Sequence, residues 1–430
     1  MIFPMAKVEK ISQNFTPFGG IYFVHDLFKT SGMRKLIDKE LGMRSSTRGY
    51  TYGTLFGNWF DLFMCGGDCA EDIEENLRQN LVSIPKNKVC GADTLLRCLK
   101  ELSVSNTPFT SDKGITYQFN INQKMNSLMI KSLLLTKELE SGKFYDFDYD
   151  NQIIAHEKQD AKRTYKKNTG YYPGICTIGN KIVYLENRDG NANVKTAQAQ
   201  TLANAYLLLS DNGLKINRSR MDAGSYAKDI IEVVASHSKL FYIRANRCET
   251  LTERIKEIEE WKTVEINFKE YHVSTLKFTQ FFRDRNYHLV VMREKSNDPQ
   301  LDLFAGDNFI YRCILTNDHD SSEKEVIEYY NQRGTSEINF DVMNNDFGWK
   351  HLPSSEMKNN TVYMILTAML KNFYQYIVSK ISQYFKNISP TTRLKRFIFR
   401  FITVSGCWVY QNRQWKLRLY TNRPYDRLVA

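Results

Sequence analysis

No run of about 18 apolar residues occurs in the 430-residue chain, so no membrane-crossing helix is expected. The opening Met1-Ile-Phe-Pro-Met-Ala-Lys7 has neither the cationic start nor the long apolar stretch of an export signal, and a cytoplasmic protein is expected. The eight cysteines, at 65, 69, 90, 98, 176, 248, 313 and 407, form no C-x-x-C pair. Cys65 and Cys69 have no histidine or second cysteine pair at zinc spacing beside them, so the thiols read as reduced and mostly buried. The seven histidines are scattered. His156 lies nearest the acidic stretch described below, and a lone histidine is more often structural than catalytic. GxxxxGK[ST], GxGxxG and GxSxG are all missing, which removes the motifs of P-loop, dinucleotide-binding and hydrolase folds. There is no internal repeat and no low-complexity segment.

What is present is positive charge and aromatic residues. The formal net charge is +11, the isoelectric point is near 9.0, and aromatics make up 13% of the residues. That balance points to a polyanionic partner. The length allows more than one domain.

Residues 1–140 read as mostly helical, short helices and tight turns that suit a DNA-binding domain and a plain helical bundle equally. Apolar spacing predicts helices over Leu27–Leu41, Thr54–Met64, Asp68–Leu81 and from Asp93 to Leu102. Beyond 140 the pattern alternates. Strands are expected at 144–150, Pro173–Ile178 and Lys181–Leu185, the last two joined by the turn Gly179-Asn180. A helix over Thr196–Leu209, a strand over Leu214–Met221, a helix over Tyr226–His237 and a strand over Leu240–Arg244 follow. The order β-β-β-α-β-α-β is that of a ribonuclease-H-like fold, so the class is mixed α/β. Residues 251–320 read as an inserted antiparallel β unit and 321–390 as the second part of the core. Residues 391–430 read as a basic helical tail.

Phe144-Tyr-Asp-Phe-Asp-Tyr-Asp150 alternates aromatics with aspartates. On a strand, Asp146, Asp148 and Asp150 share one face while Tyr145, Phe147 and Tyr149 turn to a core. Three carboxylates on one face need solvent or a cation, and hard oxygen ligands suit Mg²⁺. Asp222 ends the strand Leu214–Met221. Glu337 lies in Tyr330-Asn-Gln-Arg333-Gly-Thr-Ser-Glu337, where helical spacing would put Tyr330, Arg333 and Glu337 on one face.

Tyr-x2-Arg-x3-Glu, after an aspartate on a first strand and Asp222-Ala-Gly-Ser225 on a fourth, resembles the DDE transposases of bacterial insertion sequences. The match is to the branch with a β-strand insertion before the glutamate. Glu157-Lys-Gln-Asp-Ala-Lys162, Asn187-Arg-Asp-Gly-Asn191 and Phe241-Tyr-Ile-Arg-Ala-Asn-Arg247 also look like that group. The resemblance implies a cut-and-paste transposase of a bacterial cytoplasm. Asp148, Asp222 and Glu337 would be its catalytic residues, holding two Mg²⁺ or Mn²⁺ ions, with Asp146 and Asp150 as alternatives to Asp148. It implies that Tyr330 and Arg333 contact DNA phosphates. A lysine or arginine often found seven residues after the glutamate is replaced by Asn344, with Lys350 as a substitute. The expected partner is double-stranded DNA, bound by a homodimer, with Arg393, Lys395, Arg396 and Arg400 of the tail supplying phosphate contacts. Rival readings are a metal-dependent nuclease on the same fold and a non-catalytic DNA-binding derivative.

Overall fold

The computed structural model describes residues 15–44, 49–111, 113–246, 249–282, 284–295 and 309–429. Arg247 and Cys248 lie outside the described residues. The chain divides into two compact units, Met1–Glu101 with Phe373–Ala430, and Leu102–Asn372.

In the first unit, strand β1 (Phe15–Thr16) precedes helices Ile21–Thr30, Met33–Leu41, Tyr52–Met64 and Ala92–Glu101. The single helix expected over 27–41 is two helices. Gly32, at φ 87°, takes a left-handed turn that L side chains resist. Tyr52–Met64 begins where the Thr51 side chain accepts from the Thr54 N–H and stops at Gly66, at φ 88°. The helix expected over 68–81 is a π-helical turn, Ile73–Leu77, running into the short helix Arg78–Val82.

The second unit starts at Leu102, so the division expected near 140 falls earlier. Strands β2 (Thr107–Thr110) and β3 (Thr116–Asn120) and the helix Gln123–Leu135 belong to this unit. The next strand, β4 (Phe144–Asn151), leads to a small sheet of β5 (Ile154–Ala155), β6 (Lys162–Arg163) and β7 (Thr169–Tyr171). Then come β8 (Gly174–Ile178), β9 (Lys181–Arg188), the helix Gln198–Asp211, β10 (Lys215–Met221), the helix Lys228–His237 and β11 (Ser238–Arg244). After these, β12 (Lys262–Ile266), β13 (Lys269–Phe278), β14 (Tyr287–Lys295) and β15 (Phe309–Thr316) complete one large sheet. Its order is β12-β13-β14-β15-β11-β10-β4-β8-β9-β3-β2.

Within that sheet, β4, β8 and β9 form an antiparallel meander, and β10 and β11 add in parallel on the other side of β4. That is the ribonuclease-H-like arrangement expected from the order of elements. The inserted strands pair antiparallel onto β11 through β15 and extend the same sheet. Period-two alternation decides what each strand buries. Phe147, Tyr149, Phe241 and Ile243 join one core with Leu202, Leu209 and Ile230. Tyr242, between two of them, joins a second core with Val326, Ile327 and Tyr330. Helices Glu323–Asn331, Thr335–Asp346 and Met357–Ser382 follow.

The tail returns to the first unit. Among the described residues it is helical over Leu394–Phe397, with a π-helical turn at Ile398–Ile402 and a 3-10 turn at Tyr425–Leu428. It then forms a ribbon of β16 (Gly406–Gln411) and β17 (Gln414–Leu419), against the expectation of a helical tail. Aromatic and β-branched residues at 408–410 favour strand. Asn412 and Arg413, at φ 53° and 59°, make the two-residue turn that closes such hairpins.

Candidate active site

Strands β4 and β10 run side by side in parallel, with Arg218 opposite Asp146 and Arg220 opposite Asp148. Each pair closes as a fork. Arg218 Nε and Nη2 donate to the two Asp146 oxygens at 2.9 and 2.5 Å. Arg220 Nε and Nη2 donate to those of Asp148 at 2.6 and 2.7 Å. Arg220 Nη1 also donates to the Tyr329 carbonyl at 2.9 Å. The Tyr329 ring lies 3.9 Å from the Arg218 guanidinium and 4.6 Å from that of Arg220. The arrangement is charge-complementary and closed. Asp148 is 1% exposed, and burial pushes its carboxyl up against the opposing pull of Arg220.

One step further toward the C-terminal ends of both strands, complementarity fails. Met221 is paired with Tyr149; the next residues are Asp222 and Asp150. Burial pushes the Asp150 carboxyl up; Arg333 pulls it down and Asp222 pushes it up again. Arg333 Nη1 donates to Asp150 Oδ2 at 2.8 Å, and the Asn151 N–H donates to Asp150 Oδ1 at 2.9 Å. Asp222 Oδ1 accepts from the Gly224 N–H at 3.0 Å, capping the turn Ala223–Ser225. Tyr172 also feels both carboxylates; burial, then Tyr165, then Asp222 and Asp150 hold its hydroxyl protonated.

Tyr330, Arg333 and Glu337 do not lie on one continuous helix. Tyr330 is in the last turn of Glu323–Asn331, Arg333 in the 3-10 turn Gln332–Gly334, and Glu337 in the first turn of Thr335–Asp346. Tyr330 is 9% exposed and its hydroxyl donates to the Met221 carbonyl at 3.3 Å. It pins the strand end that carries Asp222 rather than offering a free hydroxyl to phosphate. Glu337 is exposed and, among the described residues, makes no hydrogen bond or ion pair. Its helix is anchored two residues later, where fully buried Lys371 donates from Nζ to Asn339 Oδ1 at 2.9 Å and to the Asn180 carbonyl.

The structure thus brings Asp150, Asp222 and Arg333 together, and leaves Asp146 and Asp148 committed to arginines. The three carboxylates Asp150, Asp222 and Glu337 do not meet within 4.8 Å; the described residues that do so as a trio are Asp68, Cys69 and Asp72, at an exposed turn. The donor set still fits a hard divalent cation, because Asp150 and Asp222 repel each other and share the charge of one arginine, Arg333. Lys350 donates to Asn345 Oδ1 at 2.6 Å. In the first unit, Arg393, Lys395, Arg396 and Arg400 line an open cleft of about 800 Å³ together with Lys386. The described cysteines are free thiols. No described helix is long and apolar enough to cross a membrane.

Sequence reasoning missed the two arginines that neutralise Asp146 and Asp148. Their signal was present, since Arg218 and Arg220 have the same two-residue spacing as the aspartates.

The family model described as transposase DDE domain group 1 matches residues 13–430. No curated protein matches the chain. Among solved structures, the chain is similar to a piggyBac transposase in a synaptic complex with hairpin DNA. That likeness is at 12% identity and a TM-score of 0.43, over 90% of this chain and 79% of the other.

Proposed function

Because the chain belongs to the transposase DDE domain group 1 family, we propose that it cuts and rejoins double-stranded DNA by phosphoryl transfer. Asp150, Asp222 and Glu337 are its catalytic carboxylates in this reading. The observation that carries it is the like-charged pair Asp150–Asp222 at the C-terminal ends of adjacent parallel strands. Open α/β sheets bind their ligands at such strand ends. A fold that neutralises Asp146 and Asp148 with arginines one and two steps earlier, and then sets two aspartates together, has left a place for external positive charge.

Asp150 and Asp222 would hold Mg²⁺ or Mn²⁺, with Glu337, unengaged on its anchored helix, completing the oxygen donors. Bound there, divalent ions supply Lewis-acid polarisation of a phosphodiester and a more acidic attacking water or 3′-hydroxyl. The chain's own residues do the rest. Arg333 balances the two carboxylates and has a planar fork that matches phosphate oxygens. Tyr330 fixes the end of β10 and so the direction of Asp222. Lys371 fixes the helix of Glu337 through Asn339.

Joining two DNA ends to one target needs two active sites acting together, and the reading therefore includes a homodimer assembled on DNA. The net charge of +11 supports the polyanionic partner. Strand transfer is the discriminating experiment. Purified chain, Mg²⁺ and a duplex bearing the ends that flank its gene should yield both nicked ends and joined products. Nicking without joining would reduce the protein to a nuclease.

A further inference from the structure

The ribbon β16–β17 has two unlike faces. Trp408 pairs with Leu417 and Tyr410 with Trp415 on one face, and the Trp408 ring packs edge-on against Tyr22 at 5.0 Å. The opposite face carries the pairs Cys407–Arg418, Val409–Lys416 and Gln411–Gln414. Gln411, Gln414, Lys416 and Arg418 are all exposed, as is Arg413 at the turn. Among the described residues, none of these five side chains has a hydrogen-bond or ion-pair partner. Residues 406–423 contain no acid.

Among the described residues, β1 pairs with Gly406 and Cys407 at the base of the ribbon, and β17 is the one strand beside the outer residues of β16. Six residues per strand give a projection of about 20 Å, narrow enough for a DNA major groove about 12 Å wide, which admits a two-stranded ribbon. The donors presented are those that read base edges. Amide side chains pair with adenine, and arginine or lysine with guanine. A face made only to stay hydrated would mix charge signs, whereas this one combines cations with amides, and on the other face Trp408 packs against Tyr22.

We infer that the ribbon β16–β17 is a groove-reading element that inserts its Gln411–Gln414–Lys416–Arg418 face into the major groove of double-stranded DNA. The inference rests on the DNA-processing reading above. It moves sequence recognition from the helices of the first unit to the ribbon, leaving the cleft at Arg393–Arg400 for phosphates.

The test uses the full chain in chelator, so that no strand is cut. A pool of random-sequence duplexes is selected for binding and sequenced, and guanine methylation in the major groove is scored for interference. The wild type should enrich a short motif, and methylation within it should block binding. Gln411→Ala/Gln414→Ala should lose base preference by about tenfold at the contacted positions while keeping its affinity for an unselected duplex. Lys416→Ala/Arg418→Ala should flatten the log–log salt slope by about 1.8, two contacts at roughly 0.9 each. All four substituted residues are exposed, and an unchanged melting temperature confirms folding. A ribbon variant that enriches the same motif as the wild type overturns the inference alone, as does loss of self-association without loss of selection. A wild type that binds no duplex overturns both this inference and the DNA-processing reading.

Discussion

Asp148 takes two hydrogen bonds from Arg220, at 2.6 and 2.7 Å, and is 1% exposed. A buried, bidentate pair leaves the carboxylate little capacity for a metal ion. Breaking such a pair by removing one partner costs about 3–5 kcal/mol, because the other charge stays buried without compensation. Asp148→Ala and Arg220→Ala should each lower unfolding free energy by that order in urea titrations. A loss under about 1 kcal/mol for both would show that the pair is not the structural element described.

Arg333 is the cation that balances Asp150 and Asp222 in the chain itself. Arg333→Ala should therefore leave two repelling carboxylates and lower the melting temperature in chelator. Mg²⁺ or Mn²⁺ should recover much of that deficit, since a ligand at 100 times its Kd adds about 2.7 kcal/mol of stability. Thermal melts with and without the ion, on wild type and variant, read this directly. A variant deficit that metal leaves untouched would argue against cation binding at this pair.

Both ring nitrogens of His156 are buried and, among the described residues, have no hydrogen-bond partner, and its ring lies 4.1 Å from that of Tyr171. Burial, then the charge of Lys158, pushes its pKa down to about 4. The folded state thus binds a proton less readily than the unfolded one. The neutral ring contributes stability above the unfolded value of about 6.5, and that contribution drains away as pH falls from there toward 4. Between pH 7 and pH 4.5, wild type should lose more melting temperature than His156→Gln. Equal losses would remove His156 as a source of acid sensitivity.

The mixed α/β class, the ribonuclease-H-like order of strands and the inserted strands were legible because each rests on local alternation and turn chemistry. Gly179-Asn180 and the Phe147–Tyr149 alternation are examples. Which of three aspartates on one face stands beside Asp222, apart from the two strand arginines, was not legible. That depends on the register between β4 and β10, a long-range pairing that sets Arg218 and Arg220 against Asp146 and Asp148. The common helical face of Tyr330, Arg333 and Glu337 failed for a local reason, the 3-10 turn Gln332–Gly334. The tail misled because its charges drew attention from its period-two aromatics, Trp408, Tyr410 and Trp415.

The central claim is that Asp150, not Asp148, works with Asp222 and Glu337 on DNA. The direct measurement is metal-dependent nicking of a duplex carrying the ends that flank the gene, by wild type and Asp150→Asn at matched DNA occupancy. Asp150→Asn should stay folded, bind the duplex as the wild type does, and nick at least about a thousandfold more slowly, a barrier increase near 4 kcal/mol. Nicking by Asp150→Asn at the wild-type rate would contradict the account.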